Sequence, residues 1–450
     1  MNETPLEFHP EAKNAIDERA NALLTEVHDY IKQQTRPSFT SQRHPAAHFT
    51  DEDIIGEVLS WDTDQYGKKL SVSFSKGDKT YEIGTQAYPK LNALIDLILK
   101  IKWVAKSVSN SFLEVAIVDW CRDQIGLTCT TNFSDFVIAR CESTIRKFVI
   151  WVPIAHFETA VAFDFGPARI DTISKAMMDK REEAVRSRVK NIDPTKLEQC
   201  LSADRRRLQG LGAVIVTLTA EREYAFVRAV EVADTAIGLL RCFSFEAMTT
   251  RSSCPSAILG SDYIPSTTAL SFEDDGAFTM SRRLMSQATH WQISKAQLDI
   301  FESHGLLEMG ALLSEGTVTE FQRTLRSSLL AFSKGVTLPD VNDRLVYTFS
   351  ALEGLLLRGN EPIQQNIGER MAFILERDAD ARKAIVRNTK EAYQLRSQYI
   401  HHRISSAEED VLETFARNAH GVLISALGYA GKFKTKNDLL DAIDDIKFRT

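Results

Sequence analysis

The last third of the chain, from about residue 300 onward, carries apolar residues at helical spacing and shows no convincing strand pattern. Apolar residues that recur at i, i+3 and i+4 lie on one face of an α-helix. Stop signals such as Pro339, and Gly359 with Pro362, separate the apolar stretches. The pattern predicts helices at about 318–334, 340–358, 363–376, 379–402, 407–431 and 436–447. A bundle of helices is the fold that buries such stripes.

The first 300 residues mix helical and strand patterns. A helix is predicted over residues 10–34, and the segments "LNALIDLILKIKWVAK" and "SFLEVAIVDWCRDQI" predict two more. The segments "LSVSFSKGDKTYEIG" and "TTALSFEDDGAFTMS" predict hairpins around Gly-Asp and Asp-Asp-Gly turns. β-Branched and aromatic residues favour strands in "FVIWVPIAHFE", "TAVAFDFGPARIDTIS" and "GAVIVTLTA". The expected fold class is therefore α+β and multidomain, with an N-terminal mixed α/β region and a C-terminal all-α bundle.

The length of the chain, 450 residues, exceeds what one hydrophobic core usually supports, so several domains are expected. The change of pattern near residue 300 marks one boundary. We expect a helical and hairpin region over 1–130, a mixed α/β domain over 131–300, and an all-α domain over 301–450.

Composition excludes several classes of protein. The net charge of -7 argues against a protein that coats nucleic acid non-specifically, although a local basic cleft is compatible with it. The six cysteines form no CxxC pair, so we expect no zinc site, and no other metal or cofactor is indicated. The N-terminal segment "MNETPLEFHPEAKN" has no signal-peptide pattern, and the longest apolar runs are too short to span a bilayer. We expect a cytoplasmic protein without a membrane partner.

Two patterns suggest nucleotide or RNA contact only weakly. The Gly-x-Gly at Gly210 and Gly212 precedes a strand and lacks a third glycine, whereas a dinucleotide fingerprint follows a strand and opens a helix. It is better interpreted as a turn into a strand. The basic runs "DKREEAVRSRVK" and "DRRRLQ" are interleaved with acidic residues, which is typical of solvated helix faces; contact with RNA is the alternative.

The segment "LRSQYIHHR" at 395–403 carries the candidate site. Its spacing, Arg396 followed after four residues by His401, is weak by itself, since Arg43 and His48 share it. The surroundings of Arg396 are more informative, because at about 100° per residue it falls within an apolar stripe formed by Ile385, Ala392, Tyr393, Tyr399 and Ile400. A guanidinium in such a stripe is costly unless it is paired. Glu353, beside the apolar face of an earlier helix, is the expected partner.

His401 is predicted at the end of the same helix, where an imidazole can take part in proton transfer. Five residues turn a helix by about 500°, so the side chains of Arg396 and His401 diverge by about 140°. One copy is a poor active site, but two copies could meet across a dimer axis. The alternative is structural: Arg396 and Glu353 tie two helices together, and the helix dipole favours a histidine at this end.

Three segments of this region carry a family resemblance: "FSALEGLLL" at 349–357, "IGERMAFIL" at 367–375 and "YQLRSQYIHHR" at 393–403. Over about 320–432 the chain resembles a HEPN domain of the ApeA-like group. The family pattern is an arginine, four to six residues and a histidine at the end of a helix in a bundle. A polar residue usually follows the arginine, and Ser397 fits. Many relatives carry glycine after the histidine, whereas this chain carries His402, so either His401 or His402 could be the catalytic histidine.

The resemblance implies a metal-independent endoribonuclease that dimerises to build its site and acts as a toxin or antiviral effector. His401 would move a proton and Arg396 would hold the phosphate of an RNA substrate, while Glu353 would orient Arg396. Tyr399 or His402 would help grip RNA. The region before residue 300 would sense a trigger, such as a ligand or a phage component, or restrain the nuclease. The alternative is a HEPN protein without catalysis that serves as a dimerisation or RNA-binding module.

Overall fold

The computed structural model describes most of the chain, namely residues 6–29, 59–77, 79–126, 130–189, 192–261, 266–272, 278–284, 290–314, 318–402 and 408–449. The chain forms two compact units, Met1–Phe148 with Leu218–Val227 and Val149–Thr217 with Arg228–Thr450. The domain limits inferred from the sequence stay predictions. Among the residues described, no helix combines the length and the apolar character needed to cross a membrane.

The first unit packs helices against a small antiparallel sheet. Its elements include α1 (Pro10–Leu24), β1 (His28–Asp29), β2 (Leu59–Thr63), β3 (Lys69–Lys76), β4 (Lys79–Ile83), α2 (Tyr88–Leu99), α3 (Asn110–Ile125) and α4 (Phe133–Thr144). The sheet order is β1-β4-β3-β2. The hairpin predicted at 70–84 is confirmed, and Gly77 adopts a φ of 58° in its turn. Apolar residues of all four helices and of the sheet form one core.

The helix predicted over 10–34 is shorter than expected. It ends at Leu24, and the backbone N–H groups of Glu26 and Val27 close tight turns onto Leu23 and Leu24. The next residues, His28–Asp29, pair with β4 instead of continuing the helix. Pairing with a distant strand has therefore overridden the local helical pattern. The remainder of the predicted helix, and the loop predicted after it, lie outside the described residues.

Nine further strands lie in the described ranges: β5 (Arg146–Ala155), β6 (Phe157–Thr159), β7 (Phe163–Phe165), β8 (Ala168–Thr172), β9 (Gly212–Ala220), β10 (Ala257–Ile258), β11 (Ser266–Phe272), β12 (Phe278–Leu284) and β13 (Trp291–Ile293). A five-stranded sheet has the order β10-β5-β9-β8-β7. β6 pairs in parallel with β13, and β11 pairs with β12 as the second predicted hairpin. The strands predicted from the three apolar runs are thus confirmed.

Helix α7 (Arg222–Leu240) begins in the first unit and continues in the second. The other described helices of the second unit are α5 (Lys175–Arg188), α6 (Pro194–Leu208), α8 (Lys295–Ser303), α9 (Leu306–Ala311), α10 (Glu320–Val336), α11 (Val341–Leu356), α12 (Ile363–Leu375), α13 (Ala379–His402), α14 (Glu409–Leu427) and α15 (Lys436–Arg449). After β13 the described residues contain no strand. The mixed α/β class with a C-terminal helical region is confirmed. The six predicted helices correspond to α10–α15.

Capping residues mark where two of the C-terminal helices begin, and aromatic rings pack between the helices. Thr319 forms a capping box with Gln322 at the start of α10. Asp340 caps α11 by accepting two backbone N–H groups of its first turn. Helix α10 packs on α11, α12 packs on α13, and α14 contacts all four. The rings of Phe349 in α11 and Phe415 in α14 stack with their centroids 4.6 Å apart, at the centre of this packing.

A pair of glycines allows one close backbone approach. Gly166, in the turn between β7 and β8, adopts a φ of 59°. A Cβ placed on it would lie 2.1 Å from the carbonyl oxygen of Gly310 in α9, and a Cβ on Gly310 would lie 2.6 Å from the Gly166 nitrogen. Neither position therefore has room for a side chain.

Acidification should lower the free energy of unfolding of the C-terminal helical region, because it protonates Glu361. Its carboxylate accepts hydrogen bonds from Arg370, whose side chain is almost fully buried, and from the backbone N–H of Arg358. The hydrogen bond from Arg370 is the main cause that lowers the pKa of Glu361 from its ordinary value of 4.5 to about 2. As the pH falls, the Glu361 carboxylate is therefore protonated in the unfolded chain before it is protonated in the folded chain. The stabilisation is complete above about pH 4.5 and is lost as the pH falls toward 2.

The measurement is urea unfolding between neutral and acidic pH for wild type, Glu361→Gln and Glu183→Gln. Glu183 is an exposed carboxylate of α5 without a hydrogen bond or ion pair to another described residue. We expect Glu361→Gln to be less stable at neutral pH and to lose less stability on acidification than the other two proteins. The same dependence on pH in all three would contradict the assignment.

Candidate functional site

Helices α11 and α13 form the candidate site. Ile385 and Ala392 of the predicted α13 stripe are buried, as is Leu395, and Tyr393 and Tyr399 are half-buried. Ile400 is 39% exposed, so its placement in the inward stripe was wrong. It belongs to the last turn of α13, which ends at His402.

Arg396 projects toward α11, where Glu353 is its partner. The Nη2 atom of Arg396 lies 3.3 Å from Oε1 of Glu353, and the two side chains are 18% and 27% exposed. The expected pairing is therefore present. Arg396 Nε and Glu353 Oε1 are nevertheless buried atoms without a hydrogen-bond partner in the described part of the chain. The contact is an ion pair that leaves hydrogen-bonding capacity on both groups.

Two aromatic rings flank the Arg396 guanidinium. Its central carbon lies 5.6 Å from the ring centroid of Phe349 and 5.7 Å from that of Tyr393. These two rings contact each other edge to face. Cation–π attraction and the limited space between rings and carboxylate both restrict the orientation of the guanidinium. The result is a partly buried cation held from several sides, which is a suitable anchor for a phosphate group.

Tyr399 joins the end of α13 to the start of α11. Its hydroxyl donates a hydrogen bond of 2.7 Å to Oδ1 of Asp343. Asp343 could not be predicted from the sequence, because it lies 56 positions from Tyr399 and no local spacing relates the two residues. The bond ties the last turn of α13, which carries Tyr399 and both histidines, to the start of α11.

His401 and His402 are the last two residues of α13, and both are exposed. Their ring centroids lie 6.5 Å apart at an interplanar angle of 63°. Neither ring makes a hydrogen bond or ion pair with any residue in the described ranges. Ser397 is half-buried and likewise makes no side-chain hydrogen bond among the described residues. The imidazoles are therefore accessible to solvent and to a substrate.

Arg396 and His401 lie on one continuous helix, α13. Five residues of α-helix rotate the side-chain direction by about 500°, which leaves a divergence of about 140°. Arg396 faces α11, whereas His401 is exposed at the end of α13. The fold thus places both residues on one helix without directing them at one point. The comparison pair Arg43 and His48 lies outside the described residues.

The glycine and basic patterns have structural explanations. Gly210 adopts a φ of 91° and Gly212 opens β9, where a Cβ would lie 2.3 Å from Cδ1 of Phe157. The interpretation as a turn into a strand is confirmed.

Arginines of α5 and α6 form ion pairs between the two helices, with distances of 2.6 Å, 2.7 Å and 2.8 Å for Arg181–Asp204, Arg205–Glu182 and Arg186–Glu198. These arginines hold the helix pair together.

Comparison of the chain with protein-family models, with curated proteins and with solved structures gives no match. The functional interpretation therefore depends on the residues and geometry of α11 and α13.

Proposed function

We propose that the C-terminal helical region is a HEPN-type domain of the ApeA-like group and that the protein is a metal-independent endoribonuclease acting in the cytoplasm. The observation that carries the proposal is the arrangement on α13. Arg396 is held by Glu353 and two aromatic rings, and an accessible histidine pair ends the same helix. The surrounding helices α10–α14 supply the bundle in which the family pattern occurs.

The proposed chemistry needs only proton transfer and charge stabilisation. The 2′-hydroxyl of RNA attacks the adjacent phosphorus, the bond to the 5′-oxygen breaks, and a 2′,3′-cyclic phosphate and a 5′-hydroxyl form. His401 removes the proton of the 2′-hydroxyl or supplies one to the leaving oxygen. Arg396 binds the phosphate and offsets the charge that develops in the transition state. His402 and Tyr399 contact RNA beside the reacting phosphate, by charge or by stacking.

A second copy of the chain would complete this site. Because Arg396 and His401 diverge on their helix, a twofold axis beside the end of α13 would bring two arginines and two histidines around one phosphodiester. We further propose that the region before residue 300 regulates the nuclease in response to a phage component or ligand, as in abortive infection.

A non-catalytic role is the second candidate, and one observation favours it. The contacts of Arg396 with Glu353, Phe349 and Tyr393 are also those of a residue that ties α13 to α11. The protein would then use its bundle to dimerise or to bind RNA. Arg396→Lys separates the two roles, because lysine keeps the charge that faces Glu353 and loses the forked donor geometry that a phosphate recognises.

The experiment incubates the full chain with labelled RNA in EDTA, and in parallel with the same sequence as 2′-O-methyl RNA. Cleavage of RNA alone, with cyclic phosphate ends, is expected. Arg396→Lys should cleave about 10²-fold more slowly, whereas the control Arg417→Lys, at an exposed arginine of α14, should match wild type. Equal cleavage of both polymers, or loss of cleavage in EDTA, would contradict the mechanism. RNA binding without cleavage would support the second candidate.

A further inference from the structure

A cavity of about 550 Å³ lies between the end of α7, the end of α10 and the connection from α10 to α11. Its volume is within the range of sites that bind small molecules, roughly 300–1,000 Å³. None of Arg396, His401 and His402 lines it. The cavity therefore excludes these three residues, although it adjoins the site proposed for RNA through Asp343, which accepts the hydroxyl of Tyr399.

Arg241 gives the cavity wall a buried positive charge. The residue is 8% exposed, and its Nε and Nη1 atoms donate to the hydroxyl of Ser333 and the carbonyl of Ser256. Among the described residues no carboxylate lies within ion-pair distance of its guanidinium. Burial lowers the pKa of Arg241, since desolvation disfavours the cation. Its hydrogen-bond partners are neutral and its attraction to Asp234 does not offset the desolvation, so an anion in the cavity would stabilise this buried cation.

Lys334, in the last turn of α10, adds a second cation to the lining. It is exposed and makes no ion pair with the described residues. Two of the three carboxylates of the lining are already engaged: Asp340 caps α11, and Asp343 accepts the hydroxyl of Tyr399. Asp234, on α7, is exposed and has no hydrogen bond or ion pair within the described ranges. These hydrogen bonds come from neutral donors and leave Asp340 and Asp343 charged, so the lining holds two cations and three carboxylates, of which only Asp234 has no hydrogen bond within the described ranges.

We propose that this cavity binds a phosphorylated small molecule of nucleotide size. Its phosphate accepts hydrogen bonds from Arg241 and Lys334, in the way that guanidinium and ammonium groups bind phosphate elsewhere. Its hydroxyl or amino groups donate to Asp234. The side-chain hydroxyls of Thr235 and Thr337 also line the cavity; each donates to a backbone carbonyl and can accept a hydrogen bond from a ligand hydroxyl or amino group.

The test is isothermal titration calorimetry of the full chain with AMP, GMP, CMP and UMP, and with the four matching nucleosides, at physiological ionic strength. At least one monophosphate should bind to a single site. The matching nucleoside should bind at least about tenfold more weakly, because it lacks the charge-assisted hydrogen bonds. If none of the four monophosphates shows saturable binding, or if nucleoside and monophosphate bind equally, the proposal is wrong.

Four variants locate the binding. Lys334→Ala should weaken the binding of the monophosphate by about three- to tenfold, and Lys334→Glu should weaken it further. Lys175→Ala removes an exposed lysine at the start of α5, away from the lining, and should change nothing. His401→Ala should also leave binding unchanged. Binding that is insensitive to both changes at Lys334, or that His401→Ala abolishes, would overturn the assignment to this cavity.

Discussion

Replacing His401 by alanine should slow RNA cleavage by about 10²–10⁴-fold, which is the usual contribution of a positioned general acid or base. The ring is exposed at the end of α13 and makes no hydrogen bond or ion pair with another described residue. Its removal should therefore change the free energy of unfolding by no more than about 0.5 kcal/mol. The rate is measured under single-turnover conditions in EDTA, and stability by urea unfolding of the same preparation.

His402→Ala is the matched control, because the two histidines are adjacent, both exposed and on the same turn of helix. It should affect RNA binding more than the rate of the chemical step. A large loss of rate in His402→Ala alone would transfer the role of acid or base to that residue. Wild-type rates in both variants would show that neither histidine takes part.

Gly166→Ala should destabilise the second unit by about 2–5 kcal/mol. A side chain at a φ of 59° costs about 1–2 kcal/mol for an L-residue. In addition, the new Cβ would lie 2.1 Å from the backbone carbonyl oxygen of Gly310, which is not free to rotate away as a side chain would be. Overpacking of this kind adds about 1–3 kcal/mol. Urea unfolding followed by circular dichroism gives the difference from wild type.

Gly359→Ala is the control for the conformational cost of a side chain at positive φ. Gly359 has almost the same φ, 57°, but a Cβ there would meet no atom within 4 Å. It should therefore cost only the conformational part, about 1–2 kcal/mol. If the two alanine variants lose equal stability, the close approach of Gly166 to Gly310 contributes nothing measurable.

The helices of the C-terminal region could be predicted because amphipathic stripes are a local property. Helix α13 occupies the predicted residues 379–402, and α10–α12 lie within about two residues of their predicted limits. The Arg396–Glu353 pair was also predictable, because a charge inside an apolar stripe needs a partner and Glu353 stands beside the stripe of α11.

Other features depend on tertiary contacts that no local pattern encodes. Helix α1 ends early because His28–Asp29 pair with β4, more than 50 residues away. Ile400 has helical spacing to the buried stripe, yet it lies in the last turn of α13 and remains exposed. The bond from Tyr399 to Asp343 and the cavity beside Arg241 both require the packed arrangement of separate helices.

The contact between Gly166 and Gly310 also restricts which residues homologous proteins can carry at these two positions. Any protein that descends from the same ancestor and keeps this packing of the β7–β8 turn on α9 must carry glycine at both positions, because a side chain at either one would overlap backbone atoms. Divergent relatives could then be recognised by two glycines that occur together, even when the rest of their sequences, the arginine and histidines of α13 included, have changed.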